Sequence, residues 1–245
     1  MYNQHLLLTD SLKGRETEFD DWYVWVHIRD VMGMKASAIA AQCFRRTDLQ
    51  LRSGPGKYRQ RFLALYENSD PQIMTGHGAM IPADMLISSS MDPSVGHGGG
   101  YCDTVVEHTK APGKWPRTDL ITEWIEPRAA TPENIEWYLC SRFPAVMRDP
   151  EVVSGWLGKT SDHQLYQAAR PAYVAIYRTA RLDSSIRAWQ SLEAAAPAPW
   201  SHEDVPVMCF APVCERVTRL QVLEPDAMTL QIAQAKRDAV QPRRP

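Results

Sequence analysis

Residues 18–34 of the chain, EFDDWYVWVHIRDVMGM, contain the apolar pattern from which the fold is predicted. Apolar side chains from Phe19 to Val26 recur at i, i+3, i+4 and i+7, which predicts an amphipathic helix packed on a sheet. His27 follows Tyr23 by one helical turn, so it borders the apolar face. A histidine at the edge of a buried, aromatic face is a candidate functional group.

The aromatic pattern occurs twice in the chain. Trp22-Tyr23 recurs as Trp137-Tyr138, an offset of 115 residues. The segment RFLALYEN (61–68) recurs as AYVAIYRT (172–179), an offset of 111 residues. Because the order is the same and the two offsets are close, we expect an internal repeat.

Each half is predicted to have the order β-α-β-β-(α)-β of a ferredoxin-like unit. The first-half strands are HLLLTDSL, SAIAAQCFRRT, RFLALYEN and YCDTVVEHT, and the second-half strands are DLITEWIEP, EVVSGWLGKT, AYVAIYRT and VPVMCFAPVCERVTRL. In the second half, Thr131 and Pro132 are typical of a helix start. The bare faces of two such sheets can cover each other. We therefore predict an α+β fold in which tandem ferredoxin-like repeats form a single-chain pseudo-dimeric α+β barrel.

The predicted boundary between the halves lies in a segment rich in proline, glycine and lysine, APGKWPRT. The first repeat covers 1–112 and contains a loop insertion at 70–100. The second repeat covers 113–240 and ends with a C-terminal helix. Residues 241–245 are predicted to be a frayed tail.

Composition excludes several classes of protein. The net charge is −2 and the pI is about 6.4, which gives no basic surface for nucleic acid. We expect no membrane segment, because no window approaches 18 consecutive apolar residues, and no signal peptide at the N-terminus. The five cysteines are an odd number without CxxC spacing, which favours reduced thiols and a cytoplasmic location.

Three segments together, EFDDWYVWVHIRDV, AQCFRRTD and RFLALYEN, resemble the dimeric α+β barrel superfamily, and most closely its EthD-like branch. The resemblance covers about residues 5 to 68. It implies a site in the cleft between sheet and helices. Members include cofactor-free cyclases, isomerases and lyases, small quinol monooxygenases, haem-binding peroxidase-like enzymes, and proteins without known activity.

His27 is the first candidate for a catalytic acid or base, because aromatic neighbours favour the neutral imidazole, which can take or give a proton. Tyr23 could orient it, and Trp22 would line the substrate cleft. The alternative is a purely structural role, in which His27 packs at the rim of the core and donates a hydrogen bond to a carbonyl. Arg142 stands at the equivalent position of the second half, where it either belongs to a degenerate site or binds a carboxylate.

The remaining candidates come from the insertion and the strands. His108 is the second acid/base candidate, since it shares a strand face with Val106 that could line the first-half cavity. His77 and His97 flank a glycine-rich loop that is a substrate lid, a cavity wall or an ordinary loop. With Cys102 these histidines match no common zinc signature, so no metal is predicted. We expect Arg46 to hold an anionic group and Tyr66 to line the cavity.

The favoured function is a cofactor-independent lyase or isomerase acting on a small hydrophobic aromatic carbonyl or carboxylate compound by decarboxylation, dehydration, cyclisation or double-bond shift. No cofactor is predicted. One alternative is an oxidative enzyme, either a cofactor-free monooxygenase or a haem protein with a histidine ligand. Another is a non-catalytic small-molecule-binding stress protein. Exposed sheet edges could pair two chains into a homodimer.

Overall fold

The computed structural model describes residues 3–34, 37–48, 58–69, 85–95, 98–110, 118–162, 170–193, 200 and 204–242. The first-half strands are β1 (Asn3–Thr9), β2 (Ala38–Arg46), β3 (Phe62–Asn68) and β4 (Gly98–Thr109). The second-half strands are β5 (Asp119–Ile125), β6 (Val152–Thr160), β7 (Tyr173–Thr179) and β8 (Val207–Pro212), followed by the short β9 (Val217–Thr218).

Each half carries one long helix interrupted by a π-helical turn. The first-half helix (16–34) consists of α1 (Glu16–Trp22), a π-helical turn (Tyr23–His27) and α2 (Ile28–Met34). The second-half helix (132–147) consists of α3 (Pro132–Trp137), a π-helical turn (Tyr138–Arg142) and α4 (Phe143–Met147). The remaining helices are α5 (Leu182–Glu193), α6 (Arg219–Leu223) and α7 (Ala227–Ala239). The predicted helix start is confirmed, because the Thr131 hydroxyl accepts a hydrogen bond from the Asn134 amide.

The eight long strands form a closed antiparallel barrel. Their order is β3-β1-β4-β6-β7-β5-β8-β2, and β2 pairs back with β3. Each half contributes four consecutive strands in the same order, β2-β3-β1-β4 and β6-β7-β5-β8. The halves join where β4 pairs with β6 and β8 pairs with β2. The predicted fold class, a pseudo-dimeric α+β barrel of ferredoxin-like halves, is confirmed.

Side-chain alternation divides the core into three clusters, because successive residues of a strand point to opposite faces. The barrel interior contains Leu6, Leu8, Phe44, Trp124 and Phe210, among others. A second cluster lies between the first-half sheet and its helix, and a third lies between the second-half sheet and its helix. Each half therefore has its own space between helix and sheet.

The end of the insertion is attached to the first half. Met85, Leu86, Ile87 and Met91 pack on the cluster beneath the first-half helix. β4 begins at Gly98, so the last glycines of the predicted loop are strand residues. The Gln241 carbonyl accepts a hydrogen bond from the Ser89 amide at 2.8 Å, so the tail predicted from residue 241 is paired at its start.

The C-terminal helices lie against the first half, although they follow the second half in sequence. Lys236 forms an ion pair of 2.6 Å with Asp21 of α1, and Arg237 pairs with Asp30 of α2. None of the helices in the described ranges is long and apolar enough to span a membrane.

Candidate functional site

The first-half helix packs its aromatic face on the sheet as the sequence pattern predicts. Phe19, Trp22, Tyr23 and Val26 are all at most 1% exposed. The π-helical turn adds one residue to a helical turn, and the Ile28 amide accordingly donates to the Tyr23 carbonyl, five residues back. The turn therefore brings His27 beside Trp22 as well as beside Tyr23.

His27 stands at the rim of this aromatic cluster. Its imidazole centroid lies 4.8 Å from the Trp22 ring and 4.7 Å from the Tyr23 ring. The Tyr23 ring in turn lies 4.7 Å from Phe62 on β3. His27 is partly exposed, whereas Tyr23 is buried. An imidazole that is held by two rings and still reached by solvent can exchange protons with a bound molecule.

The sheet beneath the helix presents a second histidine that the sequence analysis missed. His5 on β1 is opposite Tyr66 on β3 and Tyr101 on β4. Its ring stacks on Tyr101 at 4.0 Å and lies 5.9 Å from Tyr66. The period of two in HLLLT carried the signal, since His5 shares the face of Leu7, opposite the barrel residues Leu6 and Leu8.

Residues with small side chains lie between the aromatic rings around His27 and the aromatic rings around His5. Leu7 is opposite Ala64 on one side and Gly99 on the other, and Leu7 is only half-buried. Gly99 has φ +92°, and a Cβ there would overlap the Leu6 carbonyl oxygen, so the position requires glycine. We call the space between the first-half helix and β1, β3 and β4 the first-half cleft.

The matching space in the second half is filled by charged and phenolic groups. Glu123 takes the register position of Leu7, and Arg142 ends the π-helical turn as His27 does. The Arg142 Nε and Nη2 donate to Glu123 at 2.9 and 2.5 Å. Both residues are at most 2% exposed. The predicted substrate role of Arg142 is therefore wrong, because a carboxylate of the protein itself binds its guanidinium.

Two tyrosines complete the second-half cluster. The Tyr138 hydroxyl donates to Glu123, and it lies 2.7 Å from the Tyr177 hydroxyl. Burial, together with the Glu123 charge, raises the pKa of both tyrosines well above the usual value. Tyr66, the first-half counterpart of Tyr177, is likewise buried on the helix face of β3.

Arg46 does not reach the first-half cleft. Its side chain is on the barrel face of β2, where Nη1 donates to the Tyr58 carbonyl at 2.8 Å. Arg45 is instead on the helix face, with its guanidinium 5.9 Å from the Phe62 ring centroid and paired with Asp20. Strand alternation predicts that Arg45 and Arg46 point to opposite faces, but it does not say which face meets the helix.

His108 also lies away from this cleft. It is exposed near the end of β4, and Val106, on the same face, packs on the second-half core. The expectation that this face lines the first-half cavity is wrong, because β4 crosses to pair with β6 and its register shifts between Thr104 and Val106. His77 and His97 lie outside the described residues.

Trp22 anchors the end of the insertion. The Trp22 indole donates to the Leu86 carbonyl at 2.8 Å, which attaches residues 85–87 to the helix.

Among the residues that the structure describes, no group of three or more His, Cys, Asp or Glu side chains is placed to hold a metal ion.

Two solved structures share this fold over nearly their whole length. An anthrone oxidase-like protein matches with a TM-score of 0.56 and 9% identity, covering 92% of this chain and 97% of that one. A proposed monooxygenase from Fusobacterium nucleatum matches with a TM-score of 0.51 and 9% identity, covering 88% and 94%. No protein-family model and no curated protein sequence matches the chain.

These neighbours correct the favoured functional prediction. They are described as an oxidase-like protein and a monooxygenase, so the lyase or isomerase prediction is wrong and the oxidative alternative fits better. At this level of identity the likeness itself concerns the fold. The chain therefore has the fold of the dimeric α+β barrel superfamily, with both ferredoxin-like halves in one polypeptide.

Proposed function

We propose that this protein is an oxidative enzyme, a cofactor-free monooxygenase that acts on a small hydrophobic aromatic compound in the first-half cleft. The observation that carries the proposal is His27, held between Trp22 and Tyr23 at the rim of that cleft. At the matching positions of the second half, the structure describes the Glu123–Arg142 ion pair instead of a leucine and a histidine.

The residues of the cleft suit the oxidation of a phenol. Removal of the phenolic proton by His27 gives an electron-rich phenolate, and Tyr23 orients the imidazole or the substrate oxygen. Reaction with O2 converts a ring C–H to a second carbonyl, so that phenol and O2 yield a quinone and water. The substrate supplies all four electrons, so the balance requires no external reductant.

The aromatic lining supports an aromatic substrate. Phe62, Tyr66 and Tyr101 surround the half-buried Leu7 from the sheet side, and Tyr23 faces them from the helix. Aromatic rings favour offset or edge contacts with one another and carry large apolar surfaces. A planar ring system therefore gains more from this cleft than an aliphatic chain of equal size.

We also propose that residues 1–112 and 113–240 are duplicated repeats of the EthD-like branch. The identical strand order and the π-helical turn at the same place in each helix support this origin. A cytoplasmic location is supported by the five cysteines, none of which forms a disulfide in the described part of the chain.

A homodimer is supported by an apolar surface on the C-terminal helices. Leu220, Leu223, Met228 and Leu230 are each more than half exposed. Large apolar side chains exposed on two consecutive helices favour an interaction surface. An apolar patch can face its own copy across a two-fold axis without opposing like charges. We therefore propose a second copy of the chain as its partner.

The proposed function is tested with purified protein and a panel of phenols and naphthols, without reductant. We expect products that have gained one oxygen atom and lost two hydrogens, formed in air and absent under nitrogen, as mass spectrometry would show. Equal product in both atmospheres would overturn the proposal. A Soret band in the purified protein would replace it with the haem alternative, and binding without product would indicate a non-catalytic protein.

A further inference from the structure

A second cleft lies on the outer side of the first-half helix. It has a volume of about 370 Å³. Its apolar lining is Val24 and Trp25 of the helix with Val213 and Val217 from the segment after β8, and its polar lining is Arg29, Cys214 and three carboxylates, Asp20, Asp21 and Glu215. Small-molecule sites span roughly 300–1,000 Å³ and are mostly apolar with a few polar groups. The size matches a ligand site, and the lining combines an apolar wall with one cation and three carboxylates. We call this space the outer cleft.

Arg29 is the cationic residue among those that line the outer cleft. Its guanidinium stacks over the Trp25 ring, 5.4 Å from the centroid. Its Nε is buried and meets no hydrogen-bond acceptor in the part of the chain that the structure describes. Burial lowers the pKa of Arg29, while the Asp226 and Cys214 charges oppose that change. A buried donor on a cation has a strong preference for an acceptor, above all an anionic one.

The acidic groups around the outer cleft are engaged elsewhere or in water. Asp20 pairs with Arg45, and Asp21 pairs with Lys236 at 2.6 Å. Glu215 is exposed, so its charge is screened by solvent. Asp226 accepts hydrogen bonds from the amide and hydroxyl of Thr229 at the start of α7.

We propose that the outer cleft binds a small monocarboxylate with an apolar body. The carboxylate would accept two hydrogen bonds from the planar Arg29 fork, a geometry that guanidinium and carboxylate share. The apolar body would pack on Trp25 and the three valines. Val24 and Trp25 belong to the same π-helical turn as Tyr23 and His27. The site is nevertheless separate from the first-half cleft and does not depend on the proposed oxidation.

The test is calorimetric titration with hexanoate, an aliphatic acid chosen because the first-half cleft is aromatic. We expect hexanoate to bind and the neutral hexanamide and the cationic hexylamine to bind at least tenfold more weakly. Arg29→Gln should weaken hexanoate binding by roughly 10- to 100-fold, the range of a lost charged hydrogen bond. Arg148→Gln, at an exposed arginine outside the outer cleft, is the matched control and should bind as wild type does.

Two further variants keep the test decisive. Arg29→Lys retains the positive charge but lacks the two-pronged guanidinium, so it should bind hexanoate with intermediate affinity. It replaces Arg29→Gln in the test if Arg29→Gln does not fold. Trp25→Leu removes the aromatic wall and should weaken hexanoate as well. Equal binding of hexanoate and hexanamide, unchanged binding by both Arg29 variants, or no binding of hexanoate to wild type would overturn the proposal.

Discussion

His27 owes its surroundings to the backbone of the π-helical turn. In a regular α-helix, residues five apart point about 140° away from each other, so His27 and Trp22 would not touch. The extra residue in the turn closes that angle, and the two ring centroids lie 4.8 Å apart. The spacing of apolar residues placed the histidine at the border of the buried face, but it could not reveal the extra residue, because the same sequence pattern fits either helix.

His27→Gln keeps a polar side chain of similar length but cannot serve as an acid or base near neutral pH. We expect kcat for phenol oxidation to fall by roughly 100-fold or more, the usual contribution of a positioned proton-transfer group. His108→Gln, at an exposed histidine outside the cleft, should leave kcat unchanged. Full activity in His27→Gln would assign the histidine to packing alone.

Gly99 and Gly14 illustrate two reasons for a glycine: a positive φ together with a lack of space for a Cβ at Gly99, and a positive φ alone at Gly14. Both have positive φ, but a Cβ at Gly99 would overlap the Leu6 carbonyl, whereas a Cβ at Gly14 meets nothing. Gly99→Ala should lower the free energy of unfolding by roughly 2–4 kcal/mol, combining backbone strain with overpacking. Gly14→Ala should cost only about 1 kcal/mol. Urea unfolding of both variants checks the difference, and equal losses would contradict it.

The spaces between helix and sheet in the two halves differ in their side chains at one strand position and one helix position. β1 carries Leu7 where β5 carries Glu123, and the matching helices carry His27 and Arg142. The sequence repeat predicted that Arg142 replaces His27. It gave no sign of the Glu123 partner, since no local pattern links a strand residue to a helix residue 19 positions later.

Glu123→Leu places in β5 the residue that β1 has at this position. It leaves Arg142 buried without its carboxylate, which should lower the free energy of unfolding by roughly 3–5 kcal/mol. The double variant Glu123→Leu/Arg142→Met removes both charges and should recover most of that loss. Chemical denaturation of the two single variants and the double variant gives the coupling energy. A double variant as unstable as Glu123→Leu would contradict this account.

The long strands follow from hydrophobic patterning, but the segment after β8 does not. We predicted one strand for VPVMCFAPVCERVTRL, and the structure divides it into β8, β9 and α6. Pro212, which lacks an amide donor, ends β8. The start of α6 was detectable, because Thr218 and Gln221 form a capping box.

His5 was detectable as well from strand alternation. The placement of Arg45 and Arg46 was not, because it depends on which face of the sheet is covered by the helix.

For the whole molecule, closure of the barrel buries charged groups between the halves. Arg178 on β7 donates to the Gln42 side chain on β2 at 2.8 Å, and Arg216 forms two hydrogen bonds with Glu67 on β3. Arg178 is 4% exposed, and burial lowers its pKa to about 9. These contacts tie the second half to the first.

The lowered pKa of Arg178 predicts a pH dependence of stability. Between pH 9 and the ordinary arginine range, the unfolded chain binds a proton that the folded chain has released, so raising the pH favours the folded state. The stability of wild type minus that of Arg178→Met should therefore increase from pH 9 to pH 11. Urea unfolding of both proteins at several pH values measures this difference, and a flat or falling difference would contradict the burial argument.

The exposed apolar residues of the C-terminal helices predict self-association. Wild type should form a concentration-dependent dimer in analytical ultracentrifugation. The double variant Leu220→Glu/Met228→Glu places like charges opposite each other and should be monomeric. Val105→Glu, at an exposed apolar residue on β4, is the control and should still dimerise. A monomeric wild type would reject the proposed interface.

Isotopically labelled dioxygen distinguishes a monooxygenase from an enzyme that takes its oxygen atom from water. A substrate from the phenol panel would be converted under 18O2 in ordinary water, without reductant, and the product and water analysed by mass spectrometry. We expect one labelled oxygen atom in each product molecule and one in water, with labelled product forming roughly 100-fold or more slowly from His27→Gln. Product that carries no label would contradict a monooxygenase, and product that forms without dioxygen would contradict oxidation by dioxygen altogether.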